Sequence, residues 1–191
     1  MSKYTIWGDL PQVTLRTPPI DNTEQKTPLQ KIAAFQADLV LREIGKDPAA
    51  IDTSFMERRN MREMFKGFDP EKITPNELSR VGKELLSRKL IDNHTAELLD
   101  RTGQEFDTQG RVLKVDMRMN ALEILAGRIA EMTASERRGD RYAKMLRPDY
   151  VKAIHVLQNL QAFGATGDTF GAIKHKEQVK LGLAKADTDK K

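Results

Sequence analysis

Residues 73–86 read Ile73-Thr74-Pro75-Asn76-Glu77-Leu78-Ser79-Arg80-Val81-Gly82-Lys83-Glu84-Leu85-Leu86, and their pattern decides the fold class. Thr74 is a helix-capping residue, Pro75 suits the first helical position, and Glu77 stands where a side chain reaches back to the cap. Ile73 and Leu78 are spaced as a hydrophobic staple across that start. Leu78, Val81, Leu85 and Leu86 then recur at helical spacing, so cap and apolar face specify the same helix. A good cap stabilises its helix by ~1 kcal/mol.

Upstream, Thr27, Pro28 and Gln30 repeat this cap chemistry. They predict a helix whose inner face is Leu29, Ile32, Ala33, Gln36, Leu39, Val40 and Ile44, ended by Gly45. Between the two starts, Ser54 and Glu57 are spaced as a capping box, and Met61, Met64, Phe65 and Phe68 recur around a stop at Gly67.

Downstream, Leu90-Ile91 closes the central helix, and Asp92 or Asn93 caps another that carries Ala96, Leu98 and Leu99 towards Gly103. Helices joined by so short a turn pack as a hairpin or corner. Asp107-Thr108-Gln109-Gly110 has turn composition between Phe106 and Val112-Leu113; an irregular loop is preferred there, a small hairpin being the alternative. Asp116 is the expected cap of a long helix with Met119, Leu122, Leu125, Ala126, Ile129 and Met132 inward. After a polar break from Ser135 to Asp140 come Tyr142, Met145 and Leu146. Pro148 then opens a last helix with Tyr150, Ala153, Ile154, Leu157 and Leu160 on one side, stopped by Gly164, Gly167 and Gly171. No internal repeat is visible. The expected fold is all-α: a compact bundle of about six helices over residues 27–165, after an extended arm (1–26) and before a Gly-containing hinge and flexible basic tail (166–191).

Composition narrows the chemistry. Aromatics make up only 6% of the chain, so aliphatic and Met side chains must fill the core. No Cys is present, which removes disulfides and thiolate sites together. No apolar run approaches the ~18 residues of a membrane span, and the start from Met1 to Asp9 lacks the apolar stretch of a secretory signal. A cytoplasmic location is the default expectation. The net charge of +4 is localised: from Lys174 to Lys191 six Lys oppose Glu177, Asp187 and Asp189, a surplus of three that leaves the body near neutral.

No motif supports catalysis, a metal or a cofactor. The Gly164-Ala165-Thr166-Gly167-Asp168-Thr169-Phe170-Gly171 stretch lacks the Gly-Lys-Ser/Thr of a phosphate loop and follows a helix. Asp100, Thr102 and Gln104 alternate as in a calcium loop, but its sixth and twelfth positions are Glu105 and Arg111. His94, His155 and His175 lack the i, i+4 spacing of a helical zinc site.

Two readings of function follow. The first is a non-enzymatic protein-binding role as an adaptor, chaperone-like or regulatory domain, with Tyr4, Ile6, Trp7 and Leu10 as an apolar partner-binding motif in the arm. The second is a nucleic-acid-associated regulator, using residues 77–101 as a helix-turn-helix and the basic tail. Arg58-Arg59-Arg62 and Arg137-Arg138-Arg141 favour it, whereas Asp92, Glu97, Asp100 and Glu105 on or beside the second helix repel phosphate and disfavour it.

Overall fold

The start at Thr74 folds as its residues dictate. In a computed structural model of the chain, which describes residues 27–106, 109, 112, 113 and 116–166, Thr74 Oγ1 accepts from the Glu77 N–H at 3.2 Å and Glu77 Oε2 accepts from the Thr74 N–H at 2.9 Å. Helix α4 runs from there over Pro75–Ser87, with Leu78, Val81 and Leu85 fully buried. The same reciprocal box opens α1, Pro28–Ile44, between Thr27 and Gln30. The box expected at Ser54 is replaced by Asp52, whose carboxylate accepts from the Phe55 N–H at 2.8 Å. The helix predicted there is also divided. Helix α2, Thr53–Arg58, ends where Asn60 takes φ +53° and the Met61 N–H closes onto the Met56 carbonyl at 3.0 Å. A short α3, Arg62–Phe65, follows, and the break lets Met56, Met61, Phe65 and Phe68 all point inward.

Asp92 caps α5, Asn93–Arg101, accepting from the Thr95 N–H at 2.7 Å. Helices α4 and α5 pack side by side, and the Ser79 hydroxyl donates to the Asp100 carboxylate across them. Beyond α5 the small hairpin displaces the preferred loop: β1, Glu105–Phe106, pairs antiparallel with β2, Val112–Leu113, Phe106 lying opposite Val112. The chain then returns to Met119, which exchanges two backbone hydrogen bonds with Ile73, at 3.1 and 2.8 Å. That bridge ties the entry of α4 to the entry of α6, Ala121–Glu136. Because Met119 is held in the bridge, α6 begins later than the sequence suggests. Its cap is Asn120, accepting from the Glu123 N–H at 2.9 Å, and Asp116 instead accepts from Asn76 Nδ2 at 3.0 Å.

Helix α7, Arg141–Thr166, is the axis of the core. Asp140 caps it, accepting from the N–H groups of Tyr142 and Ala143 at 2.9 and 3.3 Å, so Pro148 lies inside the helix and does not start it. The proline removes one ladder bond, to the Lys144 carbonyl, without ending the helix. Gly164 is likewise no stop: it packs against the Phe65 carbonyl, where any Cβ would collide. Ala153, Ile154, Val156, Leu157, Leu160 and Phe163 are all buried, and with the buried His155 and Asn159 they extend burial well beyond the predicted side of the helix. The cause is topological, since α3, α5, α6 and the 3-10 turn at Pro48–Ala50 all pack around α7. Asn159 fastens that turn, donating to the Asp47 and His155 carbonyls at 2.7 and 2.8 Å.

Helix α1 corrects the sequence reading most sharply. It rests on α6 through the buried Ala37, with Val40, Leu41 and Ile44 partly covered. Leu29, Ile32, Ala33, Gln36 and Leu39, expected inside, are exposed together with Phe35. The helix is apolar on more than one side, and the side carrying Ala37, Val40, Leu41 and Ile44 is the one that packs, which leaves the longer side chains of the other side outward. The N-terminal arm and the C-terminal tail lie outside the described residues.

Candidate interaction surface

Helices α5, α6 and α7, with the Met117–Met119 segment that enters the Ile73–Met119 bridge, enclose a cleft of about 710 Å³. Leu98 of α5, Ile124 and Leu125 of α6, and Leu146 and Tyr150 of α7 contribute its apolar walls, with Met119 beside them. Gly103 shapes one end. Its φ of +76° suits glycine, and a Cβ there would overlap the Met119 sulfur, so the turn and the Met side chain interlock. Charged and polar groups ring the opening, the exposed Arg118 among them, and several have partners within the chain. Arg101 pairs with Glu97, Arg128 with Glu131 at 2.9 Å, and His94 of α5 with Asp149 of α7 at 3.2 Å.

The apolar surface continues beyond the cleft. Tyr142 and Leu146 are one turn apart on α7 and share a face, and Tyr142 and Met145 are exposed by 78% and 71%. In the sequence these three residues follow a polar break and precede the helix expected at Pro148; in the structure they form the first turns of α7, Leu146 lining the cleft.

On the other side of α7, Lys152 donates a hydrogen bond to Asp92, joining the α5 cap to the central helix. That bond first, and the Thr95 N–H second, hold the Asp92 carboxyl well below the usual range, lowered to about 2. A second hollow of about 740 Å³ opens here, with Asp92, Lys152 and the buried His155 in its wall.

The partner-binding residues expected from the sequence, Tyr4, Ile6, Trp7 and Leu10, lie outside the described residues, as does His175. The helix-turn-helix candidate corresponds to α4 and α5, and three of its basic side chains are engaged, Arg88 with Glu84, Arg101 with Glu97, and Lys83 with Asp100 at 3.6 Å, while Arg80 and Lys89 are exposed. The two arginine clusters are far apart. One flanks α3, which packs at the Gly164 end of α7, and the other begins α7, about 35 Å away along the helix. Asp100, Thr102 and Gln104 share no cation position. Thr102 Oγ1 donates to the Leu98 carbonyl at 2.6 Å, and Gln104 donates to the Asp100 carbonyl. Among the described residues no group of three His, Cys, Asp or Glu is placed to hold a metal, and no helix is long and apolar enough to cross a membrane. Comparison with protein-family models, with curated proteins and with solved structures finds no match.

Proposed function

We propose that the chain is a non-enzymatic interaction module, an adaptor, chaperone-like or regulatory domain, that receives an apolar segment of another protein in the cleft between α5 and α7. The carrying observation is the continuous apolar track from the cleft floor across Leu146 to the exposed Tyr142 and Met145. A floor of aliphatic and Met side chains within a charged rim is the make-up of a protein interface, and an exposed apolar patch marks a docking surface more often than a solvent face. Most of the rim's ionisable groups, Arg101, Arg128 and His94 among them, have partners within the chain. They therefore offer specificity to an incoming segment and little attraction to a phosphate backbone. A cytoplasmic setting accords with the absence of Cys.

The test is capture of partners by the full chain, with and without nuclease, beside a Tyr142→Ser, Met145→Ser variant. Both positions are solvent-facing, so the variant should melt as the parent does. Loss of a captured protein in the variant, with nuclease making no difference, is the expected result. Capture that survives both substitutions removes the cleft from the proposal, and capture abolished by nuclease replaces it with the nucleic-acid-associated reading.

A further inference from the structure

A second apolar surface, on α1, stands apart from the cleft. Leu29, Ile32, Phe35 and Leu39 are exposed by 79%, 56%, 62% and 49%, and none of them lines the cleft. Together they present on the order of 400 Å² of apolar area, as large as the biggest patch on many monomers and about half of the ~800 Å² that each partner buries in a stable complex. A free second copy of the chain would therefore hold this face weakly. A tethered segment needs less area, because it meets the face at an effective concentration in the millimolar range.

We propose that residues 4–10 of the same chain cover the α1 face, with Tyr4, Ile6, Trp7 and Leu10 lying against Leu29, Ile32, Phe35 and Leu39. The chain outside the structure joins at Thr27, two residues before Leu29, so the segment is attached at the edge of the surface it would cover. Sixteen residues, Pro11 to Lys26, separate Leu10 from the cap. Fully extended, a linker of that length reaches about 50 Å, while Leu29 to Leu39 spans about 15 Å of helix. The segment can therefore reach the whole face, and its tether keeps it at a raised effective concentration there. The chemistry agrees too. Four apolar side chains within seven residues, Trp7 the largest of them, meet a face whose own four are apolar and large. This inference does not rest on the cleft proposal, because it concerns a different surface and requires no partner.

Trp7 is the only Trp in the chain, so its fluorescence reports on this contact alone. In the full chain the emission should be blue-shifted and protected from acrylamide at every protein concentration. Ile32→Ser with Phe35→Ser, both solvent-facing, should return it to a solvent-like spectrum while circular dichroism stays unchanged. Solvent-like emission in the unmodified chain overturns the proposal, as does a blue shift indifferent to the α1 substitutions. A blue shift that grows with concentration alongside a dimer in light scattering overturns it in favour of a second copy. Should the serine variant fail to fold, the absence of native Cys allows a second reading: Trp7→Cys with Gln36→Cys should form an intramolecular disulfide on mild oxidation, and Trp7→Cys with Lys83→Cys should not. Equal bridging by the two pairs also overturns the contact.

Discussion

Leu85 and Thr74 hold the same helix by different physics. Leu85 is fully buried between α4 and the core, and Leu85→Ala removes transferred apolar atoms and leaves a cavity, so it should cost ~2–5 kcal/mol. Thr74→Ala removes one side-chain acceptor from a half-buried helix start and should cost ~0.5–2 kcal/mol. Denaturant midpoints at constant slope measure both, and a neutral Leu85→Ala would contradict the inward face of α4. Asp92 adds a titration. Its folded-state pKa lies below the unfolded one, so its stabilisation is complete above about pH 4 and is lost as pH falls towards 2. The carboxylate side chain is 52% exposed, and solvent screening limits the effect to about 1 kcal/mol or less. Asp92→Asn retains an amide oxygen able to cap but loses the charge, so unfolding measured between pH 5 and pH 2 should show a shallower acid slope in the variant. An unchanged slope would show that other carboxylates govern acid unfolding.

At the scale of elements, the helix ends show what is local and what is not. Helix α4 closes with Lys89 at φ +59°, where the Leu90 N–H reaches the Leu85 carbonyl at 2.9 Å and the Lys89 N–H reaches the Leu86 carbonyl at 2.8 Å. This is the double closure that glycine normally serves. A Cβ in the left-handed region costs roughly 1–2 kcal/mol, and glycine recovers part of that at some expense in chain entropy. Lys89→Gly should therefore raise stability by ~0.5–1 kcal/mol, seen as a higher denaturant midpoint with no change in helical content. A lower midpoint would mean that the Lys89 side chain contributes more than its backbone strain costs. Nothing in the sequence marks Lys89 for this conformation, because lysine carries no turn signal. The starts at Thr27, Thr74 and Asp92 were legible, since a cap and its acceptor lie within three residues of each other. The start of α6 was not, because Met119 is claimed by Ile73, a partner distant in sequence. Pro148 misled for a related reason: Asp140 had already begun the helix two turns earlier.

Across the whole molecule, the faces of the helices were harder to read than their existence. Periodicity showed that α1 and α7 have apolar residues, but only packing decides that α7 is enclosed from Tyr150 to Gly164 while its first turns stay open, and that α1 turns Leu29, Ile32 and Leu39 outward. The cleft was illegible for the same reason, since Leu98, Ile124 and Tyr150 meet only after three helices have docked. The buried side chains run without interruption from Ala37 of α1 to Phe163 of α7, and every cap described here lies between Thr27 and Asp140. A single core of that extent should fold without either end. A chain cut to residues 27–165 should keep the helical circular dichroism and cooperative melting of the full one. If residues 4–10 cover α1, the cut chain should also bind more of an apolar dye, because about 400 Å² is then uncovered without any loss of core. A cut chain that does not fold would place an end within the core. One that folds with unchanged dye binding would separate the autonomy of the bundle, which stands, from the covering of α1, which does not.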